Sequence, residues 1–323
     1  MPSRNKTRII GSRKSRLALV QAGLVRDKLK MLYPHLGFEI KTITTTADKI
    51  PDVALTKIGG QGVFTKEIED ALLNNEIDIA VHSMKDLPTN LAKGLAIAAV
   101  TQRLEPCDCL VSKQGFTIQS LPSGAKVGTS SFRRSAQLLH IRQDLKILDL
   151  RGNVETRLRK LEQGLYDAIV LAYAGVRRLG LSLNMVKIPL DELLPQAGQG
   201  ALGIEVRQSD EETQQLVKTL DDPDSHLCID AERILLAGLG GGCQAPIGVC
   251  AVIQEAQIFI KAGVFSLDGK SVVRHKIKGA KNDAEALAKE LSVTLLKGCA
   301  AQILSQMRNR TVAGIPAGSG FCG

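Results

Sequence analysis

Three groups of residues in this 323-residue chain could do chemistry: a thiol in a glycine-rich loop, a carboxylate beside a lysine, and arginines at the starts of helical patterns. The thiol is Cys243, in Gly238-Leu-Gly-Gly-Gly-Cys-Gln-Ala-Pro-Ile-Gly248. Four glycines in five positions there forbid a regular helix, since each costs about 1 kcal/mol relative to Ala. They also let a bulky group approach the backbone, and Pro246 stiffens the exit. Such a loop suits a thiol that holds something large. A free cysteine more often packs as a small hydrophobe, and the loop alone does not decide between the two.

The carboxylate is Asp86, in Ser83-Met-Lys-Asp-Leu-Pro88, which directly follows the apolar run Ile77–Val81. That places Lys85 and Asp86 at the carboxyl end of a buried strand, where open α/β sheets receive ligands. The plain reading is an exposed turn with a solvated ion pair worth under about 1 kcal/mol; the functional reading is a carboxylate that serves a ligand.

The arginines recur in one pattern. In Gly128-Thr-Ser-Ser-Phe-Arg-Arg134, hydroxyl residues Thr129 and Ser131 lie between a strand and a helix, and Arg133 and Arg134 fall in the first helical turn. Cations there oppose the helix dipole by about 0.3–1 kcal/mol each, and an anion bound between them would reverse the sign. Leu150-Arg-Gly-Asn-Val-Glu-Thr-Arg157 repeats the arrangement with Arg151 and Arg157. Ser12, Arg13, Lys14, Ser15 and Arg16 repeat it after the first strand. Solvated arginines explain one such cluster, but three point to anion binding. Arginine's planar fork matches carboxylates bidentately. No Gly-x-x-x-x-Gly-Lys-Ser/Thr run supports a nucleotide phosphate site, so a ligand with several carboxylates fits better.

The elements that must position these groups alternate as in an α/β protein. Strands are expected at Arg8–Gly11, Phe38–Thr45, Ile77–Val81 and Leu95–Val100, with helices over 15–32 and 65–74. In the first helix Leu17, Val20 and Leu24 share a face. After a break at Glu105–Pro106, strands follow near Leu110–Val111, Lys126–Gly128, Ile147–Leu150 and Ala168–Leu171. The intervening helices cover 132–142 and 154–163, the second capped by Asn153 and carrying Val154, Leu158, Leu161 and Leu165 at helical spacing. Leu202–Val206 is a buried-type strand that returns to the first unit. A helix over 225–237 with Ser225 as N-cap, three strands (248–253, 257–264, 271–277) and a long helix from Asp283 complete the chain. Asn282 and Glu285 are spaced as a capping pair for that last helix. The pattern implies three α/β domains: 1–103 with 201–221, then 104–200, then 222–323. No internal repeat stands out.

Composition narrows the function. The formal charge is +9 with pI near 9.2, which favours an anionic partner. Aromatic content of 3% with no Trp leaves little for stacking on bases, and the cations come in short clusters, so nucleic acid is not the expected partner. Seven cysteines without a Cys-x-x-Cys pair, and five histidines without His-Glu-x-x-His, give no zinc pattern, so no metal is expected. Reduced thiols point to the cytoplasm. No apolar run reaches membrane-spanning length.

With the motifs assembled, the chain resembles the hydroxymethylbilane synthase (porphobilinogen deaminase) family across nearly its whole length. The resemblance rests on Gly11-Ser-Arg-Lys-Ser-Arg-Leu-Ala-Leu, His82-Ser-Met-Lys-Asp-Leu-Pro, Gly128-Thr-Ser-Ser-Phe-Arg-Arg, Leu150-Arg-Gly-Asn-Val-Glu-Thr-Arg, Gly198-Gln-Gly-Ala and Gly241-Gly-Cys-Gln-Ala-Pro-Ile-Gly. It implies two lobes like those of periplasmic binding proteins and a small third α/β domain with a three-stranded sheet. It implies a transferase of heme and other tetrapyrrole biosynthesis, acting as a monomer. Four porphobilinogen molecules would condense head to tail with loss of ammonia, and water would release the linear tetrapyrrole. It further implies a dipyrromethane cofactor joined by a thioether to Cys243, and Asp86 as the catalytic aspartate. Ser83, Lys85, Thr129, Ser131, Arg133, Arg134 and Arg157 would bind the cofactor, and Arg13, Ser15, Arg151 and Arg178 the substrate. Many relatives carry Lys where this chain has Gln61, in a glycine-bearing loop expected to act as a lid. Cys107 and Cys109 receive no role. The competing reading is a non-catalytic two-lobed binding protein for a small polycarboxylate.

Overall fold

The structure, a computed structural model, describes residues 7–46, 65–241 and 245–312. Three sheets organise them. The first lobe contains β1 (Arg8–Arg13), α1 (Arg16–Leu32), β2 (Phe38–Ile43), α2 (Lys66–Leu73), β3 (Ile79–Ser83) and β4 (Leu95–Val100). The chain then builds β5 (Asp108–Ser112), β6 (Lys126–Gly128), α3 (Phe132–Ile141), β7 (Lys146–Leu148), α4 (Val154–Glu162), β8 (Ala168–Ala172), α5 (Tyr173–Arg178) and β9 (Met185–Lys187). It returns to the first lobe as β10 (Leu202–Arg207) and α6 (Glu211–Lys218). The last domain holds α7 (Pro223–Gly238), β11 (Ile247–Gln254), β12 (Gln257–Phe265), β13 (Val272–Ala280), α8 (Ala284–Leu295) and α9 (Ala301–Val312).

The first sheet has strand order β2-β1-β3-β10-β4, the second β7-β6-β8-β5-β9. In each, three parallel strands are followed by one that runs antiparallel to both its neighbours. In each, that reversed strand is the one the chain enters on crossing from the other lobe. The lobes therefore repeat one topology, although no repeat is legible in the sequence. Apolar clusters cover both faces of each sheet, Ile10, Val25, Ile204 and Val217 on one side of the first and Ile68, Leu72, Ile77 and Leu95 on the other. Burial on both faces explains the nearly continuous apolar strands.

Several local expectations are corrected. Helix α1 is expected to begin at Ser15, but Ser15 is its cap, the hydroxyl accepting from Ala18 N. It buries Gln21, Ala22, Val25 and Leu29, whereas Leu24 is 52% exposed. Leu17 turns instead toward Gly175 of α5, across the lobes. Helix α7 starts at Pro223 with Asp222 as its cap, accepting from Ser225 N, because proline suits the first helical position. The capping pair at Asn282 does not form: Asp283 holds the cap position without a side-chain bond, and Glu285 pairs with Lys289 at 2.6 Å. Leu165 lies beyond the end of α4 and is exposed.

The end of α7 is set by its glycines. Gly240 adopts φ +60°, Gly240 N donates to Ala237 O (2.8 Å) and Gly241 N donates to Leu236 O (3.1 Å). That pairing is the Schellman closure, which satisfies the last carbonyls of a helix and needs a residue tolerant of positive φ. The expected cysteine loop leaves from this closure, but Cys243 itself lies outside the described residues, as do Gln61 and its loop.

Where the lobes and the third domain meet, Glu232 of α7 is fully buried. It accepts two bonds from Arg103 (2.7 and 3.1 Å) and one each from Gly198 N and Ala251 N (both 2.8 Å). One carboxylate thus joins both crossover segments to β11, with its oxygens well supplied with donors. No described helix is long and apolar enough to cross a membrane.

Candidate active site

The segment carrying Lys85 and Asp86 is placed by β3. Its residues are buried until Ser83, after which a single 3-10 turn, Met84–Asp86, carries the chain out of the sheet. Met84, 1% exposed, anchors that turn in an apolar cluster with Leu87, Val100, Ala201 and Ile229. Polar contacts then fix the surroundings. Gln21 Nε2 donates to Ser83 Oγ (2.9 Å), Gln196 Nε2 donates to the Lys85 carbonyl (2.9 Å), and Lys85 Nζ donates to Gln199 Oε1 (3.4 Å). Lys85 and Asp86 are consequently held from the first lobe and from the crossover. Arg13, Ser15, Ser83 and Asp86 line one small cavity.

The facing lobe presents the arginines. Ser131 caps α3 by accepting from Arg134 N (3.4 Å), and Thr129 Oγ1 accepts from Ser131 N (3.2 Å). Arg133 and Arg134 occupy the first turn as expected, yet both are buried, with an internal counter-ion that sequence reasoning did not assign. Arg133 Nη1 lies 2.8 Å from Asp108 Oδ2 and donates to Leu194 O; Arg134 Nη2 lies 2.7 Å from Asp108 Oδ1, and its Nη1 donates to Val170 O. Gln199 Nε2 adds a third donor to Asp108 at 2.9 Å. Burial alone would raise the Asp108 carboxyl, but the two guanidiniums outweigh it and hold it well below the usual carboxylate range. This buried charge also offsets the unfavourable position of two cations at a helix start.

Around this core the positive charge is only partly compensated. Burial lowers Lys85 to about 8, Asp86 and Asp108 working against that and Arg134 and Arg133 with it. Arg157, whose Nε donates to Gly152 O (2.8 Å), is lowered to about 10 by burial and by the nearby Arg134, with Asp86 opposing. Arg178, bonded to Gly200 O (2.7 Å), is lowered to about 10 by burial. Thus Lys85, Asp86, Arg133, Arg134 and Arg157 lie in one electrostatic neighbourhood built from both lobes. Arg151 is set at its margin, a quarter exposed and 2.8 Å from Asp149. A cleft of this kind binds carboxylates, because each bound anion would restore the favoured charge state of cations that burial disfavours.

Asp108, Gln199, Gln196 and Gln21 escaped the sequence reading. One signal was present: an aspartate in the otherwise apolar strand β5 must find a cation, because an unpaired buried charge is prohibitively costly. The glutamines carried no comparable signal. Among the described residues no cluster suits a metal ion.

Comparisons with known proteins agree along the chain. The family model described as porphobilinogen deaminase, dipyromethane cofactor binding domain, matches residues 9–215. That described as porphobilinogen deaminase, C-terminal domain, matches residues 226–297. The porphobilinogen deaminase of Desulforudis audaxviator is 49% identical over 301 residues, covering 93% of this chain and 97% of the relative. That of a Nostoc species is 47% identical over 307 residues, covering 94% and 95%. Among solved structures, the BenM effector-binding domain with benzoate is similar at a TM-score of 0.41 and 14% identity, covering 66% of this chain and 90% of that one.

Replacing Asp108 with Asn leaves two buried guanidiniums without their counter-ion. The expected cost is about 3–5 kcal/mol, read as a lower midpoint in urea unfolding at neutral pH. Since the folded-state carboxyl is depressed, its contribution is complete above the unfolded Asp range and is lost only as pH falls below it. Wild type and Asp108→Asn should therefore converge on acidification, and equal midpoints at neutral pH would remove the role given to this pair.

Proposed function

The chain belongs to the porphobilinogen deaminase family, and from that premise we propose which of its residues carry the reaction. The enzyme is a transferase of tetrapyrrole biosynthesis. It joins four porphobilinogen molecules head to tail with loss of ammonia, then releases hydroxymethylbilane by hydrolysis. Its cofactor is a dipyrromethane.

The observation that carries the residue assignment is the convergence of buried cations from both lobes on the cleft. Lys85, Arg157 and Arg178 are all held below their ordinary values by burial, as expected where ligand carboxylates complete the charge balance. Ser83, Lys85, Thr129, Ser131, Arg133, Arg134 and Arg157 would hold the dipyrromethane. Arg13, Ser15, Arg151 and Arg178 would hold the carboxylates of incoming substrate. Arg133 and Arg134 act with Asp108 as a fixed base for this charge, and the Nε of each has no hydrogen-bond partner among the described residues. Bound, the dipyrromethane supplies the free pyrrole carbon at which the chain grows.

Attachment is assigned to Cys243. Burial pushes the thiol of Cys107 up to about 11 and those of Cys109, Cys228 and Cys250 up to about 12, so these four are poor nucleophiles at neutral pH. Cys243 follows the end of α7 in sequence, within the family's Gly-Gly-Cys-Gln-Ala-Pro run. Asp86 serves the reacting centre. Departure of ammonia leaves the substrate ring electron-poor, and a fixed carboxylate at its pyrrole N–H stabilises positive charge as it develops. We divide the chain into 1–103 with 201–221, 104–200 and 222–323, following the three sheets. We take it to act as a monomer in the cytoplasm, consistent with free thiols at the described cysteines.

Asp86→Asn keeps the size and removes the charge. Measured on cofactor-loaded protein, it should lose on the order of a hundredfold in kcat, with Asp86→Glu retaining more. A loaded Asp86→Asn enzyme running near the wild-type rate would contradict the assignment. A second test uses pH. Lys85 loses its proton as pH rises through about 8, so kcat/KM should fall above that pH. Lys85→Arg should carry its plateau to higher pH, and coincident profiles would show that the charge of Lys85 does not serve the cofactor's carboxylates.

A further inference from the structure

Behind Asp86, on the α2 side of the first sheet, lies a second group of ionisable residues that carbon–carbon bond formation alone does not need. Register places Glu205 of β10 opposite Ala80 and Gly203 opposite His82, so Glu205 and His82 share one face. His82 Nε2 and Glu205 Oε2 are 3.1 Å apart, with Glu205 fully buried and His82 5% exposed. Glu69 of α2 packs onto the same face, 9% exposed and within electrostatic reach of both. Glu69 Oε1 and Glu205 Oε1 are buried without hydrogen-bond partners among the described residues. Two carboxylates enclosed beside one imidazole cannot all be in their deprotonated forms without large cost. Burial raises the Glu69 carboxyl above its ordinary value, Glu205 adding to this while the Thr65 hydrogen bond and His82 oppose it.

This cluster is connected to the reacting centre. His82 and Asp86 line the same cavity of about 80 Å³, together with Arg13, Ser15 and Ser83. That space has polar and apolar walls and is large enough for more than one water. Glu69 and Glu205 do not line it; His82 stands between them and the cavity, one ring nitrogen 3.1 Å from Glu205. Each condensation forms one bond between the substrate's methylene carbon and the terminal pyrrole's ring carbon, and breaks the C–N bond to ammonia and the C–H bond at that ring carbon. The released proton must leave the ring, and it ends on ammonia as ammonium. Asp86 cannot both stay ionised against the substrate nitrogen and retain that proton.

We propose that His82, with Glu205 and Glu69, is a proton-holding relay beneath Asp86, taking the ring proton through cavity water after the new carbon–carbon bond has formed and passing it to the amine that leaves the next substrate. His82 is a positioning and relay residue, since it touches Asp86's cavity and not the substrate. The groups facing it are Glu205 from β10, Glu69 from α2, Arg13 from β1 and Asp86 across the cavity. The proposal rests on the assignment of Asp86 to the reacting centre.

The test uses full-length, cofactor-loaded enzyme with porphobilinogen, comparing His82→Gln, Glu69→Gln and Asp86→Asn over the neutral pH range. Gln can still donate to Glu205 but cannot carry the proton. His82→Gln should lower kcat on the order of tenfold or more, with KM within about twofold and one ionisation lost from the kcat profile. Unchanged kcat and profile would overturn the relay, as would a loss accounted for entirely by the fraction of unfolded or unloaded protein. Should His82→Gln fail to fold, Glu69→Gln decides: a displaced pH profile supports the relay and a wild-type profile overturns it. An inactive Asp86→Asn beside a fully active His82→Gln removes the relay alone, whereas an active Asp86→Asn removes the assignment on which it stands.

Discussion

The buried pairing of Asp108 with Arg133 and Arg134 is the constraint on which the active cleft depends. An enzyme that binds a chain of carboxylates needs many cations in a small, poorly solvated space, and such a collection repels itself before any ligand arrives. A single carboxylate, placed on the first residue of β5 and gripped by two guanidiniums at 2.7–2.8 Å, gives the cluster an internal anchor. It neutralises part of the charge and orients both arginines in the first turn of α3. Lys85, Arg157 and Arg178 stand around it, each held below its ordinary value first of all by burial.

The anchor also reaches across the molecule. Gln199 touches Asp108 with its Nε2 and Lys85 with its Oε1, and its own carbonyl accepts from Arg103 (2.8 Å), which in turn is held by Glu232. The charge centre of the second lobe, the Met84–Asp86 turn of the first and helix α7 are thus joined through a few buried or part-buried polar contacts. Positive φ at Gly198 (+78°) and Gly200 (+99°) lets the crossover strand pass tightly on both sides of Gln199. Gly198 leaves no room for a side chain, since a Cβ there would meet the Met84 and Lys85 backbone at 2.8–2.9 Å. Gln199 is therefore a buried junction, 1% exposed, and its surroundings restrict how the two lobes can shift against each other.

Much of this was legible in the sequence, for definable reasons. Strands such as Ile79–Ser83 and Leu202–Arg207 are buried on both faces, and their apolar runs announce it. The cap at Asn153 was readable because capping is a local interaction. The return of β10 to the first sheet followed from its buried character. The failures are tertiary. Leu24 of α1 fitted a helical stripe but faces solvent, because the lobe interface draws Leu17 aside and sets the buried face by Ala22 and Val25. Arg133 and Arg134 were recognised by type and position, but their partner lies 25 or more residues earlier in another strand, beyond any local pattern. The repeated topology of the lobes is invisible because equal folds need only equal patterning, which unrelated residues supply. Motif identity located the cysteine, the aspartate and the arginines; only the assembled structure brings Asp86, Lys85, Arg133, Arg134 and Arg157 into one field.

The central claim is that this cleft serves a resident, covalently held polycarboxylate. The most direct measurement is the intact mass of the denatured wild-type chain beside that of Cys243→Ser. The account predicts a wild-type mass greater than that of the chain by two pyrrole units, surviving denaturation because a thioether is covalent, and absent from Cys243→Ser. A wild-type chain of unmodified mass that nonetheless turns over porphobilinogen at full rate would contradict it.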